Sequence, residues 1–432
     1  MRAPPLFHLY VAATVLLAPF VAWFEIRKLR RQGLSALRAH EKMGHASQPR
    51  IGSGNLIWFH AASVGESLSV LALITRMGEM LPRAHFLITS GTPTSAKLVA
   101  DRMPPRTVHQ FAPLDAGGPL TRFLHHWRPA AAIFVESELW PRMLRMTRAR
   151  GTMMALVNAR LSAKSRAAWA RRPGFAAYVL DVFDLILTQN DDMAQAMVDM
   201  HAPADRVARG SNLKSMSAPL PQNPALLAQI RTAIKARPIW VAASTHKGEE
   251  TTVLDAHKTL LQTIPDLLLI LVPRHPDRSD EVAKLIAKHD LTYALRSDGA
   301  LPRDDHAVYL ADTLGELGNW YALSDVVFLG GSLLPIGGHN PFEVVQSEAA
   351  VLSGPHVTNF AETINKMVET GAAEIVADVE ALTFSVGHLL QDGAHKAASL
   401  RAARAFVQGK SDELTRIAAR LIHILKLEDD NR

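Results

Sequence analysis

Residues 56–67 read LIWFHAASVGES, an apolar run of strand length that ends in a glycine-containing turn and enters a helical pattern. The same alternation of short apolar runs with helical patterns continues along the chain, which is typical of parallel strands joined by crossover helices. One series of predicted strands covers residues 56–60, 85–89, 131–135, 154–157 and 185–188, and a second covers 239–243, 267–272, 307–310, 326–329 and 350–352. The sequence therefore predicts an α/β protein with two parallel sheets.

A proline-rich stretch lies between the two series. Prolines occupy positions 219, 221, 224 and 238, a spacing that suits a linker better than a continuous strand or helix. With 432 residues, the chain is long enough for two domains. We therefore expect an N-terminal Rossmann-like domain at 33–214, a linker at 215–237 and a C-terminal Rossmann-like domain at 238–432. Two such domains are expected to face a cleft, with ligands outside the carboxyl ends of the strands.

The N-terminus carries a membrane signal. Residues 6–24 are apolar and almost free of charge, close to the roughly 20 residues that a spanning helix needs. Basic residues follow between positions 27 and 31, and such residues favour the cytoplasmic side. Residues 1–32 are therefore predicted to be a single-pass anchor, with the body of the protein in the cytoplasm. A helix that lies in the membrane interface is the alternative, whereas a cleaved signal peptide would carry its basic cluster before the apolar core.

Composition excludes several kinds of site. The sequence has no cysteine, so disulfides and thiolate metal sites are excluded. The sequence has no run of Lys and Arg with interleaved aromatic residues, so no nucleic-acid partner is expected. The sequence contains no P-loop, no GxGxxG turn, no HExxH pair and no Asp-x-Asp pair, so no metal and no cofactor is expected.

The first half of the chain places charged residues directly after predicted strands. Glu66 lies in the HAASVGES turn, at the mouth of the expected cleft, and a helix-dipole acid without any other role is the alternative. Glu136 and Glu138 follow the third predicted strand, and one of them can be functional while the other is structural. The segment GSNLK at 210–214 follows an apparent short strand and ends in Lys214, a cation that could compensate the charge of a phosphate leaving group.

The second half repeats this arrangement with groups that suit an anion. Arg274 lies on a proline-stiffened loop after a strand, and Arg is the side chain best suited to bidentate phosphate contact. Two pairs of glycines precede the helix start at 340–343, and such glycines can expose backbone amides to an anionic ligand. The segments 244–247 and 312–316 are further candidate helix starts. Several helix starts around one cleft would suit a nucleotide.

Seven short segments occur in an order and spacing that resemble one known family. They read HAASVGES at 60–67, ESELWP at 136–141, NARLSAKS at 158–165, STHKGEE at 244–250, PRHPDR at 273–278, DTLGEL at 312–317 and GGSLLPIGGHNPFE at 330–343. Between about 55 and 359, the chain resembles the 3-deoxy-manno-octulosonic acid (Kdo) transferases of lipopolysaccharide assembly. The resemblance implies a GT-B glycosyltransferase fold and inverting transfer of Kdo from CMP-Kdo to the lipid A precursor, lipid IVA. It also implies an anchor at the cytoplasmic face of the inner membrane.

The resemblance also implies roles for individual residues. Glu66 corresponds to the general base that deprotonates the acceptor hydroxyl, and Glu136 and Lys214 correspond to groups that stabilise the transition state. The residues that match the CMP-binding segments are Pro273, Arg274, Leu314, Gly315, Glu316, Asn340, Pro341, Phe342 and Glu343. The sequence departs from the family after Lys214, where Ser215-Met216-Ser217 replace the usual aromatic and acidic residues, so the resemblance assigns no hinge-side contact with the donor to these three positions.

Two other functions stay open on the sequence alone. A membrane-tethered transferase could use a different sugar nucleotide, such as a UDP-sugar, because the contacts to the base cannot be read from the residues. A non-catalytic protein could keep the fold and bind a nucleotide sugar without turnover. The presence of Glu66, Glu136 and Lys214 argues against the second of these.

Overall fold

The computed structural model describes residues 2–50, 52, 54–216 and 219–428, and the chain divides into two compact units. Unit 1 comprises Met1–Ser217 and Asp412–Arg432, and unit 2 comprises Ala218–Ser411. The strands of unit 1 are β1 (Leu56–His60), β2 (His85–Ser90), β3 (Thr107–Phe111), β4 (Ala131–Val135), β5 (Met153–Ala159), β6 (Leu185–Thr188) and β7 (Val207–Arg209). Those of unit 2 are β8 (Ile239–Thr245), β9 (Leu268–Pro273), β10 (Tyr293–Leu295), β11 (Val308–Leu310), β12 (Val326–Leu329), β13 (Ala350–Ser353) and β14 (Ala373–Ile375).

Helices connect the strands in both units. Unit 1 contains α1 (Pro5–Arg31), α2 (Ala36–Ala39), α3 (Val64–Met80), α4 (Pro93–Asp101), α5 (Gly117–Trp127), α6 (Pro141–Arg148), α7 (Ala163–Ala170), α8 (Pro173–Leu180) and α9 (Asp191–Asp199). Unit 2 contains α10 (Pro224–Ile234), α11 (Glu249–Leu260), α12 (Ser279–Lys288), α13 (Leu317–Tyr321), α14 (Phe342–Val345), α15 (Ala361–Glu369) and α16 (Val379–Gln391). The last helix, α17 (Gly393–Ile424), begins in unit 2 and ends in unit 1. Short 3₁₀ helices cover His40–Met43, Ala204–Arg206, Leu213–Met216 and Pro276–Arg278.

Each unit is built on one parallel sheet. The strand order is β3-β2-β1-β4-β5-β6-β7 in unit 1 and β10-β11-β9-β8-β12-β13-β14 in unit 2. The direction of the chain along the sheet therefore reverses between β1 and β4 in unit 1, and between β8 and β12 in unit 2. In open α/β sheets, ligands bind outside the carboxyl ends of the strands at this reversal point. The loops after these four strands are the expected places for a site.

The strand β1 shows why the apolar runs of the sequence identify strands. Ile57 and Phe59 pack in one hydrophobic cluster, whereas Leu56 and Trp58 pack in another. Successive side chains of a strand point to opposite faces of the sheet, so a strand that is covered on both faces is apolar at every position. The ten predicted strands are all confirmed, and their ends agree with the predicted ones to within two residues.

The expected linker at 215–237 contains a helix that the sequence prediction did not allow. Residues Pro224–Ile234 form α10, so the prediction of irregular structure is wrong for this part. The Asn223 side chain caps the helix by accepting two backbone N–H groups of its first turn. Pro224 is tolerated at the first helical position, because an N–H there would have no helical partner. Ile230 anchors the helix in the core of unit 2.

The end of the chain also departs from the expected domain at 238–432. The C-terminal segment that begins at Asp412 belongs to unit 1, not to unit 2. In this part of α17, Leu414, Ile417 and Leu421 recur at helical spacing and are buried in a core cluster of unit 1. An apolar stripe of this kind must be covered by another surface, and α3 and the sheet of unit 1 contribute residues to the same cluster.

Leu421→Ala is expected to lower the free energy of unfolding of unit 1 by about 2–5 kcal/mol, because the side chain is fully buried and its truncation leaves a cavity. Arg420→Ala changes an exposed neighbour on the same helix and is the matched control, with an expected effect below about 0.5 kcal/mol. Native-state hydrogen exchange of the β1 and β4 amides reports on unit 1 separately. Equal effects of the two variants would contradict the packing of the C-terminal residues in unit 1.

Helix α1 lies along the surface of unit 1. Near its start, the Tyr10 hydroxyl donates to Asp115 Oδ2 at 2.6 Å, and Arg142 of α6 donates to Thr14 Oγ1 at 3.1 Å. Near its end, Leu29 is buried. The contacting positions recur at helical spacing, so one face of α1 is held against unit 1 over most of its length.

The opposite face of α1 is apolar and exposed. Leu16 is 72% exposed, Phe20 73% and Trp23 62%. Within the part of the chain that the structure describes, α1 is the one helix that is long and apolar enough to cross a membrane by length and composition. A contiguous apolar surface of this kind is suited to contact with lipid or with another apolar surface.

Candidate active site

Glu66 lies in the first turn of α3, directly after β1 at the reversal point of the unit 1 sheet. Its carboxylate accepts a hydrogen bond from the Ala62 N–H and another from the Ser63 hydroxyl, both at 2.9 Å. The Ser63 Oγ in turn accepts a hydrogen bond from the Glu66 N–H at 3.2 Å, so Ser63 caps the start of α3. The structure thus gives Glu66 the helix-start role considered from the sequence, and that role also fixes the orientation of its carboxylate.

Burial raises the pKa of Glu66 above its ordinary value. The hydrogen bond from Ser63 opposes this shift, whereas the negative charges of Glu138 and Glu136 raise the pKa further. A carboxylate with a raised pKa is a stronger base than an exposed glutamate. Removal of a proton from a hydroxyl group requires such a base close to neutral pH. The environment of Glu66 therefore suits the role that its motif implies.

Glu136 and Lys214 form an ion pair close to the same loop. Lys214 Nζ lies 2.8 Å from Glu136 Oε1, and Glu136 directly follows β4 on the other side of the reversal point. Lys214 also approaches the start of α3, since a Cβ built on Gly65 would lie 4.0 Å from its Nζ. The structure therefore brings the three predicted catalytic residues together in unit 1. Their roles stay predictions at this point.

Asn158 holds this ion pair in place, and the sequence prediction assigned it no role. Its Nδ2 donates to Glu136 Oε1 at 3.2 Å, and its Oδ1 accepts the N–H of Leu213 at 3.2 Å. Asn158 is buried and has a φ of 55°, in the left-handed region that asparagine tolerates better than most residues. This one side chain joins the Glu136 loop to the turn that carries Lys214.

Glu138 serves a different purpose from Glu136. Burial alone would raise the pKa of Glu138, but its contacts with His60 and Trp140 outweigh burial and lower that pKa. The indole N–H of Trp140 donates to Glu138 Oε2 at 2.6 Å, and His60 Nε2 lies 3.2 Å from the same oxygen. Of the two acids in ESELWP, Glu138 is therefore the structural one.

The predicted CMP-binding residues of unit 2 follow three strands of its sheet. Pro273 ends β9, Arg274 comes next and is exposed, Leu314, Gly315 and Glu316 follow β11, and Asn340, Pro341, Phe342 and Glu343 follow β12. The Glu316 carboxylate is engaged by the Arg296 guanidinium in two hydrogen bonds at 3.0 and 2.9 Å. Burial raises the pKa of Glu316, but the contact with Arg296 outweighs burial and lowers that pKa.

The side chain of Asn340 makes local hydrogen bonds within the segment 340–343. The Asn340 Oδ1 accepts the Phe342 N–H at 3.2 Å, and the Asn340 Nδ2 donates to Glu343 Oε1 at 3.2 Å. The helix α14 begins at Phe342, so Pro341 rather than Asn340 is the residue directly before it. A boundary shift of one residue leaves these hydrogen bonds of Asn340 unchanged.

Glu249 organises the glycine-rich loop after β12. Its buried carboxylate accepts the backbone N–H groups of Gly331, Ser332 and Leu333 at 2.7 to 2.9 Å, as well as the N–H of His246 at 2.9 Å. The prediction that the glycines expose amides to an anionic ligand is therefore wrong for Gly331, whose N–H donates to Glu249. A buried acid inside the chain takes the place of the ligand.

Comparison with known proteins finds relatives over most of the chain. The 3-deoxy-D-manno-octulosonic acid transferase of Haemophilus influenzae is 35% identical over 339 residues, which cover 77% of this chain and 79% of the relative. The chain belongs to the Kdo transferase family. The transferase of Bordetella pertussis is 31% identical over 414 residues, which cover 92% of this chain and 94% of that relative. The predicted family and the predicted enzyme class, a glycosyltransferase, are thereby confirmed.

The fold of this Kdo transferase agrees with the comparisons. A family model described as 3-deoxy-D-manno-octulosonic-acid transferase (kdotransferase) matches residues 37–217, the part that holds Glu66, Glu136 and Lys214. The crystal structure of a glycosyltransferase from Rickettsia africae superposes with a TM-score of 0.57 at 12% identity, and covers 87% of this chain and 100% of that one. The predicted α/β fold of the GT-B type is confirmed.

Proposed function

We propose that this Kdo transferase moves Kdo from CMP-Kdo to the lipid A precursor, lipid IVA, in lipopolysaccharide synthesis. The cluster of Glu66, Glu136 and Lys214 carries the proposal. A buried carboxylate with a raised pKa lies beside a lysine-acid pair at the reversal point of a Rossmann-like sheet, in a chain whose family transfers Kdo. The family supports Kdo as the group transferred, and the burial and hydrogen bonds of Glu66 support its role as the base.

The proposed reaction is a single inverting displacement. The acceptor hydroxyl oxygen attacks the anomeric carbon of Kdo, and its proton passes to the Glu66 carboxylate. The bond between the anomeric carbon and the phosphate oxygen breaks, and its electron pair stays on the oxygen of the departing CMP. Positive charge develops on the sugar and negative charge on the phosphate, so the Glu136 carboxylate and the Lys214 ammonium stabilise the transition state together. One base suffices, because no covalent intermediate is formed.

For the donor, we assign CMP to unit 2. Arg274 supplies an exposed guanidinium directly after β9, and the segment 340–343 follows β12, on the other side of β8. Pro273, Leu314, Gly315 and Glu316 complete the set that corresponds to the CMP-binding segments of the family. Because Arg296 already engages the Glu316 carboxylate, we expect backbone atoms of this segment to contact the nucleotide.

For the acceptor, a strongly cationic segment supports a phosphorylated glycolipid. Between Arg142 and Arg172, the sequence contains nine Lys and Arg residues and no Asp or Glu. Arg160 and Lys164 are exposed and follow β5, which neighbours β4 in the sheet. These cations thus lie at the edge of the sheet that carries Glu136. Phosphate groups of a lipid A precursor are the anions that such an edge would attract.

We further propose that α1 anchors the enzyme at the cytoplasmic face of the inner membrane by lying in the interface. A single-pass span, as the sequence predicts, would need about 20 residues surrounded by lipid. The contacts of Tyr10, Thr14 and Leu29 with unit 1 instead hold the helix along the body of the protein. Its exposed apolar face can still enter the acyl region of one leaflet.

Cysteine labelling distinguishes the two arrangements, because the natural chain has no cysteine. In inside-out vesicles of the inner membrane, Arg2→Cys and Gln32→Cys are both expected to react fully with a membrane-impermeant maleimide. The two positions flank α1, so an interfacial helix leaves both ends on one side of the bilayer. Protection of Arg2→Cys with full labelling of Gln32→Cys would contradict the interfacial arrangement and support the span.

Melting temperatures measured with CMP and with UDP test the choice of donor. CMP is expected to raise the melting temperature of the protein, and UDP at equal concentration is expected to raise it far less, since a ligand stabilises only the fold that binds it. Arg274→Gln should reduce the CMP effect, whereas Arg420→Gln, an exposed arginine of unit 1, should leave it unchanged. A larger shift with UDP than with CMP would support the alternative sugar nucleotide.

A further inference from the structure

Two histidines of unit 2 lie side by side, with nearly parallel rings, at the reversal point of its sheet. His246 follows β8, and His339 lies in the glycine-rich loop after β12. Their ring planes are 10° from parallel with centroids 5.2 Å apart, and their Nε2 atoms are 3.0 Å apart. A hydrogen bond between two ring nitrogens needs one that carries a proton and one that does not. The two imidazoles therefore share a single proton between their Nε2 atoms.

Gly331 has no side chain and therefore leaves room for the two imidazole rings. A Cβ at this position would lie 2.9 Å from the His339 ring and 3.4 Å from the His246 ring, and the φ of 67° also favours glycine. The backbone N–H of Gly331 donates a hydrogen bond to Glu249, so it does not face a ligand. The glycine thus makes room for imidazoles at the edge of the sheet where a Rossmann-like domain binds its ligand.

The amides of Gly331, Ser332 and Leu333 are engaged by Glu249, so an anion next to them would meet side chains rather than these amides. The charged and titratable groups around the two rings are Glu249, Glu250, Arg274 and His275. The Glu249 carboxylate already accepts hydrogen bonds from four backbone N–H groups. Glu250 forms an ion pair with Arg278, with 2.9 Å between Oε1 and Nη1. Arg274 and the imidazoles are therefore the groups that can supply positive charge to a phosphate.

The protonation of the pair depends on its surroundings. Burial, together with the positive charges of His246 and Arg274, lowers the pKa of His339 to about 4. Burial also lowers the pKa of His246, an effect that Glu249 opposes. Both rings are therefore neutral at neutral pH in the free protein. A phosphate next to them would favour the charged form and raise their pKa, so anion affinity should increase as the pH falls.

We propose that His246 and His339 form a proton-sharing pair that binds the phosphate of CMP-Kdo and takes up one proton when the nucleotide binds. The inference rests on the proposed function, because it takes CMP as the nucleotide. During transfer, the bond between the anomeric carbon and the phosphate oxygen breaks, and the phosphate of CMP gains one negative charge. The imidazolium stays protonated beside this oxygen and stabilises the charge, while the proton of the acceptor hydroxyl goes to Glu66.

Calorimetry of CMP binding in two buffers with different heats of ionisation counts the protons taken up. At pH 6.5, the full-length protein is expected to take up close to one proton more per CMP than His339→Gln or His246→Gln. Each variant should also bind CMP about ten- to hundredfold more weakly, because it loses one hydrogen bond between a charged group and the phosphate. From pH 6.5 to 7.5, the advantage of the natural protein should shrink by up to about tenfold. Comparison with the variants removes the titration of CMP itself.

His289→Gln is the matched control, because His289 pairs with Asp255 at the end of α12 rather than with the loops of the site. It should bind CMP and take up protons like the natural protein. Equal proton uptake by the natural protein and both pair variants would overturn the inference while CMP binding upholds the proposed donor. Loss of the uptake in His275→Gln alone would also overturn it. Failure of the natural protein to bind CMP would reject the proposed function together with the inference.

Discussion

Glu66→Gln is expected to lower the rate of Kdo transfer by about 10²- to 10⁴-fold, the usual contribution of a general base. The amide cannot take up the proton of the acceptor hydroxyl. Its oxygen can still accept a hydrogen bond from Ala62 or Ser63, so the start of α3 should stay formed. Incorporation of labelled Kdo into lipid at saturating substrate measures the rate, and circular dichroism checks the fold.

Glu79→Gln is the matched control for this variant. Glu79 lies on the same helix, is exposed and pairs with Arg76 at 2.9 Å, away from the loop of Glu66. Its substitution should leave transfer unchanged. Transfer by a folded Glu66→Gln protein at more than about a tenth of the natural rate would reject Glu66 as the base.

The raised pKa of Glu66 also predicts how the rate depends on pH. The base acts in its carboxylate form, so the rate falls when the pH drops through its pKa. Because burial raises that pKa, the loss should begin at a higher pH than for an exposed glutamate, whose pKa is about 4.3. The rate at saturating substrate, followed from acid to neutral pH, locates this loss. A rate that stays constant down to the ordinary pKa of glutamate would contradict the effect of burial.

Lys214→Gln is expected to lower the turnover number by about 10²- to 10³-fold, comparable to the loss of one group that stabilises transition-state charge. The substitution removes the ammonium that lies 2.8 Å from Glu136, but the turn at Leu213–Met216 keeps its hydrogen bond from the Leu213 N–H to Asn158. The position should therefore lose charge while the local backbone stays in place. Steady-state kinetics with CMP-Kdo and lipid acceptor measures the effect.

The ion pair can be tested as a unit with Glu136→Gln and the double variant. If Lys214 and Glu136 act together, the double variant should lose much less activity than the product of the two single losses. Lys97→Gln, an exposed lysine on α4 of the same unit, is the control and should keep full activity. Fully multiplicative losses would contradict a joint action of the two residues.

The strands that the sequence did not predict lie at the edges of the sheets. Thr107–Phe111, Tyr293–Leu295 and Ala373–Ile375 form β3, β10 and β14, and each is a terminal strand in its sheet order. The strand β7 (Val207–Arg209), which the sequence indicated only as an apparent short strand, is also terminal. A central strand is buried on both faces and appears as a continuous apolar run, whereas an edge strand can be short or polar. In the sequence TVHQF of β3, polar residues interrupt the apolar pattern although every residue of the strand is buried, so the sequence shows no continuous apolar run.

The candidate site divides in a similar way. Glu66, Glu136 and Lys214 were predictable together, because each follows a strand and the carboxyl ends of parallel strands meet at one edge of the sheet. Asn158 and Glu249 could not be assigned a role, because their partners are distant in the sequence and are known only from the packing. Asn158 lies in the segment NARLSAKS and Glu249 in STHKGEE. The motifs therefore included both residues but did not indicate what they do.

Mass spectrometry of the lipid product tests the proposed reaction most directly. The full-length enzyme, placed in detergent or membranes, would be incubated with CMP-Kdo and a tetraacylated lipid A precursor. We predict that the mass of the lipid rises by a whole number of Kdo residues and that one CMP is released for each. A lipid of unchanged mass after incubation with folded, CMP-binding enzyme, or a mass increase only with a UDP-sugar, would contradict the proposed reaction.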